Sequence, residues 1–191
     1  RFFSRARLEA FSLGDREQHL LDILLRTGIV TEAGDSFLPG VGGLIALSQE
    51  SEPRLRSLFM VHEGYHGVFF LDARYQAAVR SVWEELSGLE QQFWKEFLLL
   101  RNYNVADEYL VINEFQAYLM QVTAERLDAY YWNYAVPGLA KAVPRTGRLV
   151  EELIELYPDT FMQSAARVER ALREFAGIGA EDLFCMVRTK Q

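Results

Sequence analysis

A single cysteine, Cys185, stands in a chain of 191 residues, so no disulfide can close within it and no cysteine-rich structural zinc site can be built. Long apolar runs are missing too. The most apolar stretches, such as Leu98 to Leu100 and Tyr109 to Ile112, fall far short of the roughly 20 residues that a membrane-crossing helix needs, which predicts no transmembrane segment. Basic charge is scarce: 20 Lys and Arg face 27 Asp and Glu, a net charge of −7. That balance argues against a nucleic-acid partner, because phosphate binding takes clustered cations that displace counterions. There is no internal repeat and no low-complexity tract. The chain opens Arg1-Phe2-Phe3 without a methionine, which is not the start of a secretory signal, so an upstream segment is expected to have been removed or left out.

What remains is a half-apolar, aromatic-rich composition, suited to one substantial core or two small lobes. Apolar residues at Phe11, Leu13, Leu20, Leu21, Ile23 and Leu24 suit one or two helices from about Phe3 to Arg26, with a break near Gly14. Turn formers crowd residues 34 to 43, and the run Gly43-Leu44-Ile45-Ala46-Leu47-Ser48 has the length and bounding of a short strand. Pro53 suits a first helical turn, and Leu55, Leu58, Phe59, Val61 and His62 follow at helical spacing. From Asp72 to about Leu100 one apolar stripe predicts a long amphipathic helix or a pair. Asn104 is an N-cap candidate, with Asp107 three residues on, for a helix running through Asn113-Glu114 to about Tyr131. Further helical patterns cover about 148 to 156, 161 to 175 and 180 to 187. The expected fold class is α+β and mostly helical.

The chemistry concentrates at His62-Glu63-Gly64-Tyr65-His66, an H-E-x-x-H pattern. Residues four apart on a helix project from one face, a turn apart, so two imidazoles can share one metal. Zinc accepts neutral imidazole nitrogen and in catalytic sites takes three protein ligands plus a water. Glu63, beside His62, is the candidate general base for that water. Chance alone writes the pattern in on the order of one chain in a few hundred. Against chance, two of the three histidines occupy it, between the apolar runs Leu58 to Val61 and Val68 to Leu71. The third, His19, sits in a polar patch and reads as a surface residue.

Three carboxylates compete for the third ligand position. Asp72 falls where the extended metzincin pattern has its last histidine, but Phe69 stands where that pattern needs a glycine; an unbroken helix would carry Asp72 away. Glu85, with eighteen residues between it and His66, has the spacing of the aminopeptidase branch of the gluzincins without their Asn-Glu pair. Glu114 lies in Val111-Ile112-Asn113-Glu114-Phe115-Gln116-Ala117-Tyr118, where apolar neighbours leave a carboxylate in want of a cation or several donors. Its Asn-Glu pair, and the alanine three residues on, resemble the glutamate helix of gluzincin zinc metallopeptidases; the long gap after His66 resembles the lethal-factor-like toxin peptidases. The likeness covers about Gly43 to Gln121. It implies a zincin-like catalytic domain over residues 1 to 191, with a short sheet, the motif helix and a helical C-terminal lobe. It further implies His62, His66 and Glu114 as ligands of Zn2+, Glu63 as general base, and a peptide or protein substrate. Glu114 is favoured for its burial-prone surroundings, with Glu85 as the alternative. Tyr118, one turn beyond Glu114, is a candidate to hold a ligand; Tyr103 and Tyr109 are among the candidate oxyanion donors. A domain that keeps the site but binds peptides or proteins without cutting them is the alternative function.

Overall fold

The computed structural model describes residues 1 to 188, and the chain divides into two compact units, residues 1 to 46 and 47 to 191. The first unit begins with α1 (Phe2–Leu8) and α2 (Asp15–Arg26), separated near Gly14 as the sequence predicts. The Glu17 carboxylate accepts from the Gly14 backbone N–H at 2.8 Å and so satisfies one orphan donor at the start of α2. An antiparallel hairpin follows, β1 (Val30–Ala33) and β2 (Ser36–Pro39), with Val30 opposite Pro39 and Ala33 opposite Ser36. Its two-residue turn is Gly34-Asp35, and Gly34 takes a φ of +59° that a side chain would resist.

The expected strand over Gly43 to Ser48 is absent; that stretch is irregular. A strand is made by its partner's hydrogen bonds, not by its own apolar content, and among the described residues the only pairing is β1 with β2. The sheet thus lies earlier in the chain, with its turn and β2 inside the stretch of turn formers and β1 just before it.

The second unit opens with α3 (Pro53–Leu71), Pro53 in its first turn, where a missing N–H costs nothing. Asp72 ends α3 and starts α4 (Ala73–Glu84) by accepting from the N–H groups of Arg74 and Tyr75. The stripe from 72 to 100 is a helix pair. Ser87 and Glu90 form a reciprocal capping box at the head of α5 (Gly88–Leu99). Helix α6 (Glu108–Met120) is capped by Asp107, which accepts from the Leu110 N–H at 3.1 Å. Asn104 instead closes a turn by accepting from Ala106 at 3.2 Å. The helix expected to run on to Tyr131 stops at Gln121 and restarts as α7 (Ala124–Tyr130). A π turn joins α7 to α8 (Val136–Ala142); then come α9 (Gly147–Leu156), α10 (Thr160–Ala171), a second π turn, and α11 (Ala180–Arg188).

The core of this unit is aromatic. Trp94 packs edge-on to Phe93, Phe97, Phe115, Tyr131 and Phe161, each ring contributing roughly 1.5–3 kcal/mol or more of transfer free energy. Helix α3 lies against α6, α4 and α11, and this sandwiching positions the motif. No helix among the described residues is long and apolar enough to cross a membrane.

Candidate metal centre

His62 and His66 stand one turn apart on the face of α3 that meets α6. Their Nε2 atoms approach to 3.0 Å, with the rings perpendicular at 89°. Opposite them α6 presents Glu114, one oxygen 3.4 Å from His62 Nε2 and the other 3.4 Å from His66 Nε2. On another side of α3, Gly64 faces the Leu183 side chain of α11. Tyr65 donates its hydroxyl hydrogen bond to the carbonyl of Ala180 at 3.2 Å, pinning the same contact.

Donor bookkeeping identifies what this triangle lacks. Gln116 Nε2 donates to the backbone carbonyl of Asn113 at 3.1 Å; a carbonyl only accepts, which fixes the glutamine amide. The same nitrogen donates to Asn113 Oδ1 at 3.3 Å, and Gln116 Oε1 accepts from the Tyr75 hydroxyl at 2.9 Å. Asn113 Oδ1 is therefore an acceptor, and His66 Nδ1, 2.9 Å from it, must carry the proton. His62 Nδ1 likewise faces Gln121 Oε1 at 3.0 Å. In the neutral form, an imidazole whose Nδ1 proton goes to such an oxygen keeps its Nε2 as a lone pair, facing the other ring and the Glu114 carboxylate. Such a trio of groups around one point is held together by a shared proton or by a metal ion.

Burial raises the cost of leaving such groups unpaired. His62 is 7 % exposed and Glu114 6 %, and the fully buried Oε2 of Glu114 has no hydrogen-bond partner, a state that costs a charged group more than the usual 1–3 kcal/mol or so. Ligand atoms on bonds of about 2.0–2.1 Å at tetrahedral angles lie roughly 3.3–3.4 Å apart, close to the 3.0 and 3.4 Å edges found here. The donor set of two imidazoles and one carboxylate therefore fits a divalent ion such as zinc. Burial would raise the Glu114 pKa, but the two histidines beside it hold it down at about 2. Burial would lower the His66 pKa, yet Glu114 and Asn113 keep it above the ordinary imidazole value.

Glu63 completes the cluster: one of its carboxylate oxygens and one nitrogen of each histidine all lie within 4.8 Å of one another. It is only half-buried. Tyr118 does not hydrogen-bond a ligand. Its ring packs edge-on against His62, centroids 4.7 Å apart, and its hydroxyl pairs with that of Tyr103 at 3.4 Å. Burial, this pairing and the nearby Glu114 charge push the Tyr103 pKa upward. Tyr109 is exposed and packs on Phe69.

The rival carboxylates have other work. Asp72 caps α4 and pairs with Arg74, and Glu85 pairs with Arg167 at 2.6 Å with its side chain 62 % exposed. His19 is exposed on α2. Sequence reasoning missed Gln121 and Gln116, and passed over Asn113 as part of a family likeness. Spacing held a signal for Gln121, which follows Glu114 by seven residues and so returns to the same helix face. Beside the centre, a groove of about 1120 Å³ is walled by Val61 and Gln121 together with Leu58, Tyr130, Tyr134 and Phe184. Comparison with known protein families, with curated proteins and with solved structures found no match to this chain.

Proposed function

We propose that the chain is a zinc-dependent peptidase of the gluzincin type, with a zincin-like catalytic fold, in which His62, His66 and Glu114 hold the metal. The observation that carries this reading is the triangle of two imidazole nitrogens and a buried carboxylate whose Oε2 has no hydrogen-bond partner, with Glu63 alongside. Two neutral nitrogens and one carboxylate oxygen are the donor set that zinc accepts in hydrolytic sites. When bound there, the ion would supply Lewis acidity, activating a water and polarising a carbonyl.

The residues of the chain do the rest. Glu63 accepts a proton from the attacking water as its oxygen bonds to the scissile carbonyl carbon. It returns that proton to the amide nitrogen as the C–N bond breaks, so a carboxylic acid and an amine leave and Glu63 ends as it began. We assign the oxyanion donor to Tyr103, whose hydroxyl pairs with that of Tyr118, the ring that packs against His62. The substrate is a peptide or protein segment, and the groove walled by Leu58, Val61, Tyr130 and Tyr134 offers its side chains apolar cover.

Two measurements test the reading. Purified protein should carry about one zinc equivalent, removable by chelation. On an unbiased peptide library, Glu63→Gln should keep the metal and lose cleavage by roughly 10²–10⁴-fold. Substoichiometric zinc after reconstitution, or equal cleavage by wild type and variant, would remove the proposal.

A further inference from the structure

We infer that Asn113 and Gln121 are positioning residues of the metal centre: each accepts the Nδ1 proton of one histidine, aims that ring's Nε2 inward, and does so without adding charge. The inference rests on the metal reading above and concerns how the centre is tuned.

One helix supplies this whole layer. Asn113 and Glu114 are adjacent on α6 and Gln121 is its C-terminal cap residue, so the third ligand and both orienting amides move as one body. Behind Asn113 stands Gln116, wholly buried, whose bonds to Tyr75 and to the oxygens of Asn113 leave the asparagine no freedom to turn its nitrogen toward His66. A buried glutamine in an otherwise apolar core is expensive unless fully satisfied. Its bonds to Tyr75 and Asn113 satisfy it and at the same time fix the Asn113 amide.

The chemical point lies in the choice of amides. A ligating histidine needs its second nitrogen held, and carboxylates do this commonly, making the imidazole more basic. Two carboxylates here would add two negative charges to the one on Glu114. Amides fix the same tautomer and leave Glu114 the one charge among the three ligands and their two partners, so a divalent ion held there is neutralised less by them than in a carboxylate-backed site. A centre with that charge binds its ion less tightly than a carboxylate-backed one but pulls harder on the electrons of whatever the ion coordinates.

The two properties respond oppositely to two kinds of substitution. Asn113→Asp and Gln121→Glu keep the acceptor and add charge, and should tighten zinc binding about tenfold or more. Asn113→Leu and Gln121→Leu delete the acceptor and should weaken it about 10–100-fold. Affinity is read by competition with a chromophoric chelator. Histidine ¹⁵N NMR of the metal-free protein, above the imidazole titration range, reads the tautomer independently. Wild type and the acidic variants should show Nδ1–H at both histidines, and each leucine variant should release its own histidine to the Nε2–H form. Should a leucine variant fail to fold, the acidic variant at the same position still decides by the sign of its effect. If all four variants weaken zinc alike, or the tautomers stay unchanged, the amides are mere packing and the inference fails while the metal reading stands. If wild type binds no zinc, both fail together.

Discussion

At the scale of single residues the centre is a balance between burial, which makes each charge costly, and proximity, which makes each charge useful. Glu114 is the pivot. Its carboxyl is held at about 2 and the His66 pKa is raised, and linkage converts both into stability with opposite signs. A lowered carboxyl pKa stabilises the fold above the ordinary carboxylate range, and that contribution is lost as pH falls toward 2. A raised imidazole pKa stabilises it below about 6.5, and that contribution is lost as pH climbs through the raised value. Metal-free protein should therefore be most stable between about pH 4.5 and 6.5, and its Tm should drop on going to pH 8. Zinc competes with protons for the same nitrogens, so the Tm rise it produces should be larger at pH 8 than at pH 6. Calorimetry with and without chelator measures this. A zinc-induced rise that shrank with pH would mean that the ion binds elsewhere. Glu114→Gln should abolish most of the rise at both pH values.

At the scale of elements the legible and illegible parts of the sequence separate by range of interaction. Helix α3 and the α4–α5 stretch were readable because their signals are local, Pro53 in a first turn and an apolar stripe, whereas the break between α4 and α5 at Ser87, marked by its capping box with Glu90, went unread. The strand expected over Gly43 to Ser48 was not, because apolar content does not supply a partner. The real hairpin carried its own signal in Gly34-Asp35 between Val-Thr-Glu-Ala and Ser-Phe-Leu-Pro, a turn pair that selects for two antiparallel arms. Site geometry divided the same way: His62, Glu63 and His66 follow from helical spacing, whereas the meeting of His66 with Asn113 is a tertiary fact spanning 47 residues. Two substitutions probe the elements directly. Asp107→Ala removes the cap of α6 and should cost about 1 kcal/mol in a denaturant titration, with zinc stoichiometry intact, because capping sets the stability of the helix and not its face. Gly40→Ala should cost more, roughly 1–3 kcal/mol, since its Cβ would sit 2.0 Å from the Gly28 carbonyl oxygen and push the end of the hairpin off the turn that follows α2. An unchanged denaturation midpoint for either would show that the contact in question is not formed.

At the scale of the whole molecule, every residue assigned to the centre falls between His62 and Gln121, and so does every amide that orients it. The aromatic cluster that supports α3 and α6 begins at Val61 and takes nothing from the first unit. A polypeptide starting at Leu47 therefore contains both helices that hold the metal, the network behind them and the core beneath them. It should fold by circular dichroism, bind about one equivalent of zinc and show the same pH dependence of its zinc-induced stabilisation as the full chain. Residues 1 to 46, which hold one exposed histidine and none of the cluster, should bind none. The outcome separates two accounts of the same motif. If the shortened chain is helical and still binds no zinc, a donor from the first 46 residues is required and the two-helix centre is wrong. If it binds zinc and loses cleavage, the first unit belongs to substrate recognition, which would make the metal centre and the peptide site separable pieces of one sequence.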